Sequence, residues 1–196
     1  HRGVHHQAFR ASGSGGAHQS ILERRRVTRE LLRLDPLTRV LNRPALENEL
    51  IRELHIVSRY ETVGTLVFID LDDFKEINDT KGHLEGDRML SSIAGLLQRV
   101  FSADDLIGRF GGDEFVVFMQ GISQENTEKK LCHFRRRLAD LWEGRALKMT
   151  CSIGAFSQGN ASMTFDELLQ RADEAMYVAK KSGKNNFVMM DGHSVK

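Results

Sequence analysis

Cysteine is nearly missing from these 196 residues: Cys132 and Cys151 stand alone, in no CxxC spacing. That excludes a disulfide framework and a cysteine-built zinc site, and it suits a reducing compartment in which thiols merely pack. Long apolar runs are missing too, none approaching the ~20 residues that a membrane-spanning helix needs, so no membrane contact by this region is expected. Neither sign of charge dominates: 28 Lys plus Arg stand against 27 Asp plus Glu, a net charge of +1. The chain therefore has no global electrostatic reason to seek a nucleic-acid polymer or an anionic membrane. With no apolar leader at the start, the expected location is the cytoplasm, or the cytoplasmic part of a membrane-anchored sensor.

What is present is an ordinary globular composition, 40% hydrophobic and 28% charged, suited to one domain plus an extension. Residues 1–20 are rich in Gly, Ser and His and read as a cloning scar or flexible linker. From Ile21 to Leu34 the segment ILERRRVTRELLRL spaces its apolar residues at helical intervals, which predicts a connecting or signalling helix. Asp35-Pro36 breaks that pattern, because proline disfavours helix at the residue before it. The main domain is expected over residues 35–196.

Within it, helical and strand-like runs alternate, an α+β pattern. An amphipathic helix runs from Asn42-Arg43-Pro44 to about Tyr60, with Leu46, Leu50, Ile51, Leu54 and Val57 on one face. Thr65 to Ile69 is a short apolar run ending at Asp70, the mark of a buried central strand with a carboxylate at its carboxyl end. A loop containing Gly and Asp is expected next, then a helix over Gly86–Phe101. Leu106–Phe110 and Phe115–Met119 read as two strands joined by a hairpin turn at Gly111-Gly112-Asp113-Glu114. A helix over Asn126–Trp142, a strand over Met149–Phe156, a helix over Phe165–Lys181 and a strand over Phe187–Met190 complete the order.

Asp70 at a strand end and Asp113 and Glu114 on a turn form a set of hard oxygen ligands, suited to Mg²⁺ held together with substrate phosphates. Gly111 and Gly112 are expected to supply turn dihedrals and to let a ligand approach the backbone. Each residue also has a plainer reading. Gly-Gly turns and Asp pairs are common in surface loops, Lys180 and Lys184 fit any exposed helix face, His83 can stabilise its own turn, and Arg109 can brace the hairpin as well as touch a ligand.

Four segments in sequence decide between these readings. Gly111 to Phe115 spells GGDEF, Phe68 to Asp87 reads FIDLDDFKEINDTKGHLEGD, Asp35 to Arg43 reads DPLTRVLNR, and Ala179 to Lys184 reads AKKSGK. Together they resemble the GGDEF-domain diguanylate cyclases over about Asp35 to Asp191. The resemblance implies a central mixed sheet surrounded by helices, like the palm of nucleotide polymerases and the class III nucleotidyl cyclases. It implies a Mg²⁺-dependent enzyme, with Mn²⁺ as a substitute, that condenses two GTP into cyclic di-GMP and pyrophosphate as a homodimer of domains under an upstream sensory domain. By the same resemblance Asp70, Glu114 and the carbonyl of Leu71 are metal ligands. Asp113 is the catalytic base and also touches metal. Phe74, Lys75, Lys180 and Lys184 bind phosphates; Asn78 and Asp87 read the guanine edge; and His83, Arg109, Gly111 and Gly112 line the substrate.

The alternative is a GTP-binding regulatory module of a larger signalling protein, one that carries a phosphodiesterase domain; loss of a metal carboxylate would signal it, and none is lost. The sequence departs from the family pattern at Ser102, which stands where the inhibitory Arg-x-x-Asp site has its arginine, leaving Asp105 alone. Ser lacks the guanidinium fork that grips a phosphate or guanine, so the product-inhibition site is expected to be lost. Lys184 replaces a usual Arg, and Arg39 a usual Gly.

Overall fold

The computed structural model describes residues 32–144, 148–158 and 162–192. Residues Leu34–Lys196 form one unit and His1–Arg33 another; most of the expected connecting helix lies outside the described residues. Leu34 itself forms a β-bridge to Leu41 rather than ending a helix.

Helix α1 (Arg43–Tyr60) begins where the Asn42 side chain accepts the Ala45 N–H and Pro44 presets the first turn, and it stops at Glu61, whose φ of 51° is left-handed. It buries Leu46, Leu50, Leu54 and Val57, whereas Ile51, expected on that face, is exposed. The chain then enters β1 (Gly64–Leu71), every residue of which is buried. The expected loop after β1 is instead a two-turn helix, α2 (Phe74–Lys81), with only Phe74 and Ile77 buried. Eight residues with two apolar anchors are too few to show a 3.6-residue period. Helix α3 (His83–Val100) follows at once and starts three residues earlier than the apolar spacing indicates.

The predicted hairpin is present as β2 (Leu106–Arg109) and β3 (Glu114–Gln120). Then come α4 (Gln124–Leu141), β4 (Cys151–Gln158), α5 (Phe165–Lys181) and β5 (Phe187–Asp191). The sheet order is β2-β3-β1-β4-β5, antiparallel except for the parallel β4–β5 pair. This is the α+β alternation read from the sequence, arranged as the mixed sheet with flanking helices that the family resemblance implies.

Strand alternation then sorts side chains between two layers. Val67, Ile69 and Leu71 of β1 join Phe115, Val117 and Met119 of β3 in the core that includes α3 and α4 residues. Leu66 and Phe68 join Val116 and Phe118 in the layer with α1 and α5. Continuing that alternation to the strand ends, Asp70 and Glu114 belong to the α5 side. Gly154 of β4 brings α5 within reach, because a Cβ there would strike the backbone of Ala172 and Met176. One turn beyond Met176 is Lys180.

Candidate active site

The site starts from a register fact: Asp70 and Glu114 are directly opposed across β1 and β3. Like charges in such a pair oppose folding; two unit charges about 5 Å apart at an effective dielectric of about 20 repel by on the order of 3 kcal/mol. Lys180 supplies a cation: its Nζ lies 2.8 Å from Asp70 Oδ2. Burial is the main cause raising the Asp70 pKa, and Lys180 pulls it down while Asp113 and Asp72 push it further up. Burial likewise raises Glu114, helped by the charges of Asp70, Asp113 and Asp173. Asp113 thus joins the pair electrostatically, and it is docked there by its carbonyl, which accepts the Leu71 N–H at 3.2 Å.

The turn is shaped differently from the sequence expectation. Neither Gly111 nor Gly112 has a positive φ, so left-handed backbone is not what glycine provides here. A Cβ on Gly111 would collide with the Glu114 carboxylate, whereas a Cβ on Gly112 would meet nothing. The first glycine makes room for Glu114; the second leaves open space beside the turn. Arg109 braces the loop: its Nη2 and Nε donate to the Gly112 carbonyl at 2.7 and 3.2 Å, and its Nη1 pairs with Asp35 at 3.2 Å. Burial raises the Asp35 pKa, but hydrogen bonds from Thr38 and the Arg109 charge outweigh it and hold the carboxyl below its ordinary value. Arg43 adds a second cation, 4.1 Å over the Phe110 ring.

Just past Leu71, the N-terminus of α2 is uncapped. Asp73, its N-cap, has a left-handed φ of 57° and makes no side-chain cap hydrogen bond, because its carboxylate is turned to Lys184 Nζ at 2.6 Å. Helix N-termini of this kind attract anions through free N–H groups and the helix dipole. Phe74 is buried and Lys75 is exposed on this first turn. Asn78, half-buried on α2, lies against α3 so closely that a Cβ on Gly86 would collide with its Oδ1. Gly86 therefore admits the Asn78 amide next to Asp87, which is exposed; His83 is exposed as the first residue of α3 rather than in a loop.

The structure thus gathers Asp70, Asp113, Glu114 and Lys180 at the β1–β3 end, and sets Lys184 beside the start of α2, two residues past Leu71. Asn78 packs against Gly86, the neighbour of Asp87, at the α2–α3 contact. One residue was missed by sequence reasoning. Asp72, only 5% exposed, accepts hydrogen bonds from Thr150 Oγ1 at 2.6 Å, Ser152 Oγ at 2.7 Å and the Asn185 N–H at 3.0 Å. Its signal was the repeated Asp of the Asp70–Asp73 stretch. Asp105 and Ser102 lie elsewhere, before β2, where Asp105 Oδ2 accepts the Ser102 N–H at 2.7 Å and pairs with Lys130 at 2.9 Å.

Among the described residues no three His, Cys, Asp or Glu side chains converge as a self-sufficient metal cage. The donor set still fits Mg²⁺, which is commonly held by one or two carboxylates plus substrate phosphates. A cation arriving between Asp70 and Glu114 relieves their repulsion and competes with Lys180 for Asp70. No helix among the described residues is long and apolar enough to cross a membrane.

Comparison with known proteins bears on the family and the fold. Residues 32–186 match the family described as "Diguanylate cyclase, GGDEF domain". The chain is 39% identical over 158 residues to "Diguanylate cyclase DgcP" of Pseudomonas aeruginosa, covering 77% of this chain and 23% of that protein. It is 34% identical over 163 residues to "Diguanylate cyclase DosC" of Escherichia coli, covering 81% of this chain and 35% of that one. The chain thus spans well under half the length of these relatives. The coiled coil and GGDEF domain of DgcB from Caulobacter crescentus, solved in complex with c-di-GMP, superposes with a TM-score of 0.83 at 25% identity, covering 90% of this chain and 95% of that one. SiaD of Pseudomonas aeruginosa, a diguanylate cyclase solved with its activator SiaC, gives 0.79 at 30% identity, with 90% and 69% covered.

Proposed function

The chain belongs to the GGDEF family, and we propose that it is a diguanylate cyclase that joins two GTP molecules into cyclic di-GMP. The observation that carries this reading is the opposed Asp70–Glu114 pair beside the uncapped start of α2: a place that wants a cation, next to a place that wants an anion. A metal-bound triphosphate supplies both.

Each domain holds one GTP. The α2 N–H groups with Lys75 and Lys184 take the terminal phosphates, and the Asn78 amide and Asp87 carboxylate pair with the guanine edge, whose N1–H and exocyclic amine are two donors. Asp70, Glu114 and the Leu71 carbonyl would hold Mg²⁺, or Mn²⁺ in its place, which would neutralise phosphate charge and make the ribose hydroxyl more acidic. Asp113, at the turn, receives the proton from the 3′-OH. The oxygen forms a bond to the α-phosphorus of the facing GTP, the α–β anhydride bond breaks, and pyrophosphate leaves. The same step in the opposite sense closes the ring. Since each domain holds one GTP, two must face one another; the domain of residues 35–196 works as a homodimer whose meeting is adjusted from an upstream sensory segment, in the cytoplasm. Asp105, already paired with Lys130 and lacking an arginine at Ser102, gives little grip for feedback by product.

Incubation with GTP and Mg²⁺, with products resolved chromatographically, tests the reading. Cyclic di-GMP and pyrophosphate are expected, and none from ATP. GTP binding without cyclic dinucleotide, even in a chain forced to dimerise, would replace it with the regulatory-module reading.

A further inference from the structure

We propose that Asp72 is a positioning residue for the triphosphate end of this site, holding the strained loop that carries Lys184; the inference rests on the nucleotide reading above. Gly183, Lys184 and Asn185 have consecutive φ values of 109°, 61° and 44°. Two of these three are not glycine, and side chains resist the left-handed region unless the surroundings impose it. What imposes it is visible. The Asn185 N–H donates to Asp72 Oδ2 at 3.0 Å, and Thr150 Oγ1 donates to the same oxygen at 2.6 Å.

The other oxygen of Asp72 is fixed by Ser152 Oγ at 2.7 Å, and its own N–H donates to the Thr150 carbonyl at 2.9 Å. A buried carboxylate held by three donors is a rigid anchor. It ties the loop to the start of β4 and, through its own backbone, to the Leu71–Asp73 stretch. The consequence falls on Lys184, whose Nζ is directed to Asp73 at the start of α2, the place where phosphate would lie. Asp72 itself is buried, its carboxylate enclosed by two hydroxyls and an amide N–H. It acts through Lys184.

The substitution Asp72→Asn keeps the shape but puts an amide NH₂ among donors, so at least one of the three is left without an acceptor. The expected result is that the Asn185 amide exchanges with solvent at least about tenfold faster, read by NMR. KM for GTP rises about tenfold, the size of one charge-assisted hydrogen bond, and kcat is retained, the mark of lost uniform binding. GMP, which has no β- or γ-phosphate, binds as before. Because the effect runs through Lys184, the Asp72→Asn/Lys184→Ala double variant binds GTP no more weakly than Lys184→Ala alone.

Additive losses in the double variant, or equal losses for GMP and GTP, overturn the proposal, as does faster Asn185 exchange with GTP affinity unchanged. If Asp72→Asn fails to fold, Thr150→Val, which removes one donor from the same oxygen, must give the same pattern at smaller amplitude, and its absence is equally fatal. A wild-type chain that binds neither GTP nor inorganic triphosphate overturns the cyclase reading and this role with it, and is told apart because the wild type itself is silent.

Discussion

Two acidic sites lie at opposite ends of β2, and they are electrostatic opposites. Before the strand, Asp105 is satisfied: the Ser102 N–H and Lys130 occupy its Oδ2, and Lys130 also sits 5.6 Å over the Phe101 ring. Beyond the turn, Asp70 and Glu114 face each other, both raised in pKa by burial and neighbouring carboxylates, with one lysine between charge and solvent. A satisfied carboxylate has little to gain from a ligand. Two facing carboxylates whose repulsion Lys180 only partly offsets store free energy that a bound cation or a proton releases, so the difference tells which of the two acidic sites is built to bind.

The largest expected effect comes from breaking the unsatisfied site. Glu114→Gln keeps the shape and removes the charge, and it should reduce cyclic di-GMP formation by at least about a hundredfold, in line with loss of a group that holds a catalytic ion, measured as product per domain. Unchanged turnover would end the metal assignment. Next in size is the brace that shapes the turn. Arg109→Ala strands the Gly112 carbonyl and the part-buried Asp35, and should cost about 1–3 kcal/mol, read as a lower denaturant midpoint at constant slope. Because the Asp35 pKa is held below its unfolded value, its contribution is present at neutral pH and is lost as pH falls through the folded pKa; the variant and wild type should converge in acid.

The same comparison predicts an inversion of stability. Without divalent cation, Glu114→Gln should be more stable than wild type, by about 1 kcal/mol or 2–4 °C in Tm for a domain of this size. The sign follows from the raised pKa. Wild type is relatively favoured while Glu114 is protonated and loses that advantage as pH rises through the folded pKa, so the Tm gap should be widest near neutrality and shrink in acid. Added Mg²⁺ should raise the wild-type Tm and leave the variant unmoved. The smallest effect belongs to the satisfied site: Asp105→Asn should change stability by less than about 1 kcal/mol and leave GTP turnover and its response to micromolar product unaltered.

The sequence made the frame of this site legible because its signals were strong locally. The apolar run ending at Asp70 and the turn between two β-rich runs each specify an element without help from the rest of the chain. Helix α2 was hidden because two turns with two apolar anchors carry no period. The glycines were read as suppliers of turn dihedrals, yet what the structure shows at Gly111 is tertiary: its space is taken by Glu114, three residues on but brought back by the turn. The place of Asp72 within the repeated Asp stretch was visible, but its role was not, for the same kind of reason. Its partners, Thr150, Ser152 and Asn185, are far along the chain, and only strand pairing brings them together. Arg109 could be read two ways until Asp35, from the entry motif, was found against it.

If the site is completed only when two domains meet around cation-bound GTP, turnover per domain must depend on protein concentration at saturating GTP and Mg²⁺. Cyclic di-GMP is expected at a rate per domain that rises with concentration and vanishes where sedimentation shows monomers. A rate per domain that stays constant into the monomeric range would contradict the two-domain site.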